Sequence, residues 1–456
     1  MITMSESHDP AACLHSSRIM TCGHAPHENI VGQGPHGVRM QGRIAQVRST
    51  KQSVIIKKTY QEKTMKFLHL GDLHLGKSVN EISMLPDQKD ILAKILGIAD
   101  SEEVSAVLVS GDIYDRPVPP EEAVRLLDWF MGELAARHIP LLMISGNHDS
   151  DERLNFGAAL FRPAGVYIAG KYEGALPEVT LADACGPVHF YMLPFVKASL
   201  VAHYYPEEDC STYDAAVRTA IRMAHVDPAA RNVLLCHQFV VSGGRAAETA
   251  GSETAAVNVG TVEQVDAAAF ADFDYTALGH IHSPQKIGRE CIRYAGSPLK
   301  YSLSEISRPK SAAVVELGAK GELSVQLHPL RPLHEMRHLR GPFARLLETA
   351  VREKACGEAE DYMYVTLTDE HPVLEAQPQL AFYYPNIMKL DYDNSHTRAA
   401  GADPAAPDPE RSFTELLLSF YREMNGGEPG DEELRLLRRA ALEAGIKGAE
   451  DTEAEL

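Results

Sequence analysis

The 456-residue sequence contains no apolar run approaching the roughly 18–20 residues that a membrane span requires. Its first thirty residues also lack the continuous apolar segment of a secretory signal, so a cytoplasmic location is the default expectation. Cysteine is sparse and scattered, at positions 13, 22, 185, 210, 236, 291 and 356, with no Cys-x-x-Cys pair. An odd count at irregular spacing argues against a disulfide framework and for reduced thiols. Cys13 and Cys22 stand among His15, His24, His27 and His36, but that spacing fits no compact zinc motif and reads as incidental. Positive charge is short as well. The formal net charge is −19, whereas a protein that grips phosphates alone normally needs a basic surface. The acidity weighs mildly against DNA as sole ligand, unless bound divalent cations or a partner protein supply the missing positive charge.

What is present is an ordinary globular composition, 45% apolar and 23% charged, in a chain long enough for a large catalytic domain and smaller units. Residues 1–64 are rich in Gly, His and Ser and lack sustained apolar periodicity. They read either as a poorly ordered extension or as sequence upstream of a true start at Met65, and the second reading is favoured. From Met65 onward, short apolar runs alternate with helical patterns. The runs are Phe67–Leu70, Ala106–Val109, Pro140–Ile144, Val188–Leu193, Val233–Cys236 and Tyr275–Leu278; the helical patterns include Asp87–Ala99 and Glu121–Arg137. Runs that are apolar throughout predict strands buried on both faces with helices outside, and hence an α/β fold.

Near residue 311 the texture changes. Ser311–Leu317, Ser324–His328 and Tyr362–Thr368 read as strands and Phe343–Lys354 as a helix, which predicts a second, small α/β unit. The expected organisation is a catalytic domain over 65–305, a second unit over 306–395, an Ala/Pro/Asp-rich linker over 396–412, and two helices within 413–456. Phe413, Leu416, Leu417, Phe420, Tyr421 and Met424 share one face of the first helix. Asp431 caps the second, whose apolar residues include Leu434, Leu437 and Leu442. These helices either pack back on the main body or dock to another protein.

Five short motifs follow strand-like runs: Asp72-Leu73-His74, Gly111-Asp112, Gly146-Asn147-His148-Asp149, His237, and Gly279-His280-Ile281-His282. In α/β sheets the carboxyl ends of the strands gather along one edge, so distant residues can converge there. Carboxylates, imidazoles and an amide oxygen, without thiolates, suit borderline divalent ions such as manganese, iron or zinc. Alternate residues of an extended segment point to one side, so Asp-x-His and His-x-His can each serve one ion. Two ions about 3.5–4 Å apart need a bridging ligand, and Asp112 is the natural choice, with one oxygen for each ion. Such a centre suits hydrolysis of a phosphoester. The leaving oxygen then needs a proton, which His148 is placed to give, with Asp149 orienting its ring. A lone His after a strand is usually structural, and Gly-Asp alone means little. The five in this order carry the reading.

These residues resemble the calcineurin-like metallophosphoesterase superfamily over 66–282. A narrower set, His69-Leu-Gly-Asp-Leu-His-Leu-Gly76, Gly111-Asp-Ile-Tyr-Asp-Arg116 and Ala295-Gly-Ser-Pro-Leu-Lys-Tyr-Ser302, resembles the SbcD family, the nuclease components of bacterial SbcCD complexes. The resemblance implies a β-sandwich flanked by helices, a small α/β capping domain and C-terminal helices that bind an SbcC-like SMC-type ATPase. It implies one metal at Asp72, His74, Asp112 and His282, and another at Asp112, Asn147, His237 and His280, both manganese. It also implies ATP-dependent 3′→5′ exonuclease action on double-stranded DNA and single-strand endonuclease action in DNA repair and recombination. His148 would be the catalytic acid, and the chain would form a homodimer within a heterotetramer. The 64-residue extension departs from the family pattern. Two other functions stay open on the motifs alone: a phosphoesterase of nucleotides or small phosphodiesters, and a non-catalytic scaffold for an SMC-like ATPase.

Overall fold

A computed structural model describes residues 53–55, 64–244, 247–249, 264–356, 359–395, 397, 417–419, 421–422 and 427–443. Apart from the short strand Ser53–Ile55 and Thr64, the expectation for residues 1–64 lies outside the described residues.

The strand Met65–Leu70 shows why its residues are apolar without alternation. Met65 and Phe67 enter a core shared with a second sheet, while Leu68 and Leu70 enter a different core beneath the helices. Ala106–Ser110 repeats the arrangement, with Ala106 and Leu108 on one side and Val107 and Val109 on the other. Each Leu or Phe side chain fully buried in this way contributes about 1.5–3 kcal/mol relative to exposure.

Six strands form the first sheet, in the order Leu323–Leu330, Lys310–Leu317, Met65–Leu70, Ala106–Ser110, Leu141–Ile144, Val166–Ala169. Seven form the second: Ser53–Ile55, Glu178–Asp183, Gly186–Leu193, Arg231–His237, Tyr275–Gly279, Arg289–Tyr294, Gln285–Ile287. Their inner faces meet through Phe67, Leu108, Leu142, Phe190, Leu235 and Tyr275. Helices cover the outer faces, giving a β-sandwich flanked by helices.

Helix Glu121–Ala136 starts after Pro120, with Glu121 and Glu122 in its first turn, where acids favour the positive end of the helix dipole. It lays Ala123, Leu126, Leu127, Phe130 and Leu134 against the first sheet. Helix Leu85–Ser101 buries Ile91, Leu92, Ile95, Leu96 and Ala99 beside it. Helix Tyr213–Met223, capped by the Thr212 hydroxyl, covers the second sheet with Ala216, Val217 and Ala220.

The boundary expected between 305 and 306 moves. Lys310–Leu317 pairs antiparallel with Met65–Leu70, setting Val315 opposite Phe67, and Leu323–Leu330 adds beside it. Val315 and Leu317 face the second sheet while Ala312 and Val314 face the helices, so this strand is completed only inside the sandwich. The second unit is instead a parallel three-stranded sheet, Met336–Gly341, Tyr362–Leu367 and Ile387–Tyr392. Helices Phe343–Cys356 and Ala376–Ala381 close a separate core around Leu346, Met363, Val365, Leu380 and Tyr384. Helix Asp431–Glu443 matches the second expected terminal helix. The stripe Phe413 to Met424 lies largely outside the described residues. No described helix is long and apolar enough to cross a membrane.

Candidate metal centre

All five motifs meet at one edge of the sandwich, in the gap between the two sheets and not along a single sheet. Asp72, His74, Asp112, Asn147 and His148 follow strands of the first sheet; His237, His280 and His282 end or follow strands of the second. The backbone turns sharply as it leaves those strands. Asp72, His74, Asp112 and His280 have φ of 52°, 43°, 49° and 103°. Side chains with a Cβ rarely adopt such angles, at a cost of about 1–3 kcal/mol each. Cross-links hold the turns: the amides of Asp72 and His74 donate to Gly111 O (3.1 Å) and Asp112 O (2.9 Å), and the His280 amide donates to Asp72 Oδ1 (2.8 Å). Crowding also requires glycine within the motifs. A Cβ at Gly279 would fall 1.8 Å from Ser110 O, and one at Gly146 would fall 2.1 Å from Asp112 Oδ1.

Two sets of donors can be distinguished, with Asp72 also within 4.8 Å of ligand atoms of Asp112 and His237. In the first, ligand atoms of Asp72, His74 and His282 all lie within 4.8 Å of one another, and the Nε2 atoms of His74 and His282 are 3.1 Å apart. In the second, Asn147 Oδ1 lies 3.0 Å from His237 Nε2 and 3.0 Å from His280 Nδ1. Asp112 stands between them, its Oδ2 3.6 Å from His74 Nε2 and 3.4 Å from His237 Nε2. The two Asp112 oxygens are not equivalent. Oδ2 faces both groups, while Oδ1 accepts the His148 amide at 2.9 Å.

Burial and neighbouring charge shift these groups in opposite directions. Burial pushes Asp72 up to about 6. Burial also opposes ionisation of Asp112, but His237, His74 and His148 outweigh it and hold that carboxyl well below the usual range. His237 is raised to about 9 against its burial by the Asp112 charge. Burial lowers His74 well below the usual imidazole value and His280 to about 3, keeping both neutral. Asp72 Oδ2 and His74 Nδ1 are buried without a hydrogen-bond partner, a cost of about 1–3 kcal/mol apiece. The convergence of Asp72 with the Nε2 atoms of His74 and His282, with Asp112 Oδ2 beside them and no thiol, fits a pair of divalent cations.

His148 is exposed, edge-on to His74 with ring centroids 4.8 Å apart, and its Nδ1 lies 3.0 Å from Asp115 O. The role expected for Asp149 is corrected by its contacts. Its carboxylate accepts the amides of Ile113 (3.0 Å), Tyr114 (2.9 Å) and Gly146 (2.9 Å), so it ties two loops together and does not orient the His148 ring. Burial and the Asp112 charge push Asp149 up to about 6, and those three amides oppose the rise.

Several supporting residues escaped the sequence reading. Asp115 lies within the Gly-Asp-Ile-Tyr-Asp-Arg run; its carbonyl meets the His148 ring and its Oδ1 lies 3.7 Å from His74 Nδ1. His237 Nδ1 is set by Ser110 O at 2.7 Å. Gln88 accepts the Gly76 amide at 2.9 Å and donates to His74 O at 2.7 Å, and Tyr301 donates to Leu73 O at 2.5 Å. Tyr301 belongs to the Gly-Ser-Pro-Leu segment, so that segment steadies the His74 turn. Glu305 lies behind His282, its Oε1 3.3 Å from the ring Nδ1.

Residues 65–284 match the calcineurin-like phosphoesterase family, and residues 332–425 match the type 5 capsule protein repressor C-terminal domain. Two solved structures are similar at 12% identity: a dimetal phosphatase from Danio rerio (59% of this chain, 98% of that one, TM-score 0.34) and TT1561 of Thermus thermophilus (59% and 100%, TM-score 0.35). The sandwich, the motifs and the family match define the class, a calcineurin-like metal-dependent phosphoesterase. The SbcD component of the SbcCD nuclease of Staphylococcus epidermidis is 33% identical over 329 residues, 72% of this chain and 85% of that protein. The chain belongs to the SbcD family of nuclease components.

Proposed function

We propose that this chain cuts DNA phosphodiesters at a two-metal centre, with manganese as the working ion. It acts as a 3′→5′ exonuclease on duplex ends and an endonuclease on single strands. The position of Asp112 Oδ2 between two donor groups is the observation that carries this reading. Asp72, His74, Asp112 and His282 would hold one ion; Asp112, Asn147, His237 and His280 would hold the other. When bound, the ions supply Lewis acidity and lower the pKa of water toward neutrality.

The chain's own residues do the rest. The turns at Asp72, His74, Asp112 and His280 fix the ligands before substrate arrives, so little reorganisation is left for the reaction. His148 donates its Nδ1 proton to Asp115 O, which leaves Nε2 for the substrate. In the protonated ring that Nε2–H is the proton given to the leaving oxygen.

The nuclease identity of the Staphylococcus epidermidis relative supports DNA over small esters. The family match over 332–425 and the helix Asp431–Glu443 support an association through residues 413–456 with an SbcC-like SMC-type ATPase. That partner would couple cleavage to ATP and supply the positive surface which a chain of net charge −19 lacks. In this reading two copies of the chain join two of the ATPase, in the cytoplasm, in DNA repair and recombination. The test is hydrolysis by purified protein with manganese of linear duplex against a small chromogenic diester. Cleavage of both is expected; cleavage of the small ester alone would leave a phosphoesterase without the nuclease role.

A further inference from the structure

The carboxylate of Glu305 is buried behind the metal centre, at the end of a short 3-10 turn, Leu303–Glu305, that Ser302 caps. Its Oε1 is 3.3 Å from Nδ1 of His282, the ring nitrogen opposite the one facing His74. Lys310, itself buried, donates to Glu305 Oε2 (2.5 Å), to the His282 carbonyl (2.8 Å) and to the Ser297 hydroxyl (2.7 Å). One ammonium therefore clamps both the carboxylate behind the ring and the backbone that carries it.

We propose that Glu305 is a positioning residue for His282: its carboxylate accepts the Nδ1 proton, so that the Nε2 lone pair is turned toward Asp72 and His74. The proposal rests on the two-metal reading of the site. An imidazole has two tautomers, and only the one protonated at Nδ1 offers Nε2 to an ion. A carboxylate behind a ligating imidazole selects that tautomer, fixes the ring plane and strengthens the donor, effects worth about 10–100-fold in metal affinity. Lys310 keeps Glu305 from being an isolated buried charge, which would be costly. The alternative is that Glu305 serves only to neutralise Lys310. The two differ in reach. Glu305 touches a ligand of the Asp72 group, while the Asn147, His237 and His280 group is held by other contacts. A positioning role weakens one ion; a purely structural role weakens neither or both.

The experiment is manganese binding to the full chain by calorimetry, for wild type and Glu305→Gln, with thermal unfolding to verify the fold. Two ions are expected in the wild type. In the variant one ion should bind about 10–100-fold more weakly and the other should be little changed. Should Glu305→Gln fail to fold because Lys310 loses its anion, the double variant Glu305→Gln/Lys310→Met removes both charges and should give the same selective loss. Nitrogen-15 NMR of the metal-free wild type is independent of any variant. It should find the His282 proton on Nδ1. Unchanged affinity for both ions, equal weakening of both, or a proton on Nε2 would overturn the proposal alone. A wild type that fails to bind two ions would overturn the two-metal reading and the proposal with it.

Discussion

The main-chain amide of His148 donates to Oδ1 of Asp112 at 2.9 Å, while the other oxygen of Asp112 faces both donor groups. The ligand proposed to join the two ions and the residue proposed to protonate the leaving group thus share one hydrogen bond. That bond involves the backbone of His148, not its ring. His148→Ala should leave Asp112 in place and manganese binding intact, while DNA cleavage falls by about 10²–10⁴-fold. Metal stoichiometry and cleavage rate, measured on the same preparation, check this. Undiminished cleavage would remove His148 from its role.

Asp149 accepts three backbone amides from two loops, so its loss should appear first in stability. Asp149→Ala should destabilise the fold by about 1.5–3 kcal/mol, the range for hydrogen bonds to a charged group. It should also weaken the ion held by Asn147, which the same loop carries. Denaturant unfolding and metal titration separate this from a ring-tuning role. Such a role would shift the pH dependence of the rate at unchanged stability.

Asp87 and Gln88 are neighbours on one helix and face different tasks. Asp87 is buried and accepts the His334 amide (2.8 Å) and the Tyr362 hydroxyl (2.6 Å), which locks the second unit to the sandwich. Gln88 grips the His74 turn. Asp87→Ala should speed hydrogen exchange in Met336–Gly341 and Tyr362–Leu367 with little effect on metal affinity. Gln88→Leu should do the reverse. Matching effects from the two substitutions would contradict this division.

Deleting residues 413–456 should abolish co-purification with an SbcC-like ATPase and leave manganese-dependent hydrolysis of a small phosphodiester. Helix Asp431–Glu443 exposes Leu436, and none of the described residues that build the sandwich core belongs to it. Retention of the ATPase by the truncated chain would place the interface elsewhere.

The α/β class and the convergence of Asp72, His74, Asp112, Asn147, His237, His280 and His282 were legible because strand-end position and residue chemistry are local properties. The division into two sheets was not. Phe67 and Leu68 are equally apolar and equally buried, and a run apolar throughout does not say which sheet lies on which side. Lys310–Leu317 reads like any strand, and only its distant partner Met65–Leu70 assigns it to the sandwich. The role of Asp149 is not legible because its partners are backbone amides, invisible in residue type. Glu305 carries no local signal, since the ring it meets belongs to another segment.

The most direct test of the centre is the number of manganese ions bound by metal-stripped protein, counted in wild type and in Asp112→Ala. Two ions per chain are expected in the wild type and weakened binding of both in the variant, because Oδ2 of Asp112 lies against both donor groups. One ion or none in the wild type, or loss of a single ion with the other unaffected in Asp112→Ala, would contradict it.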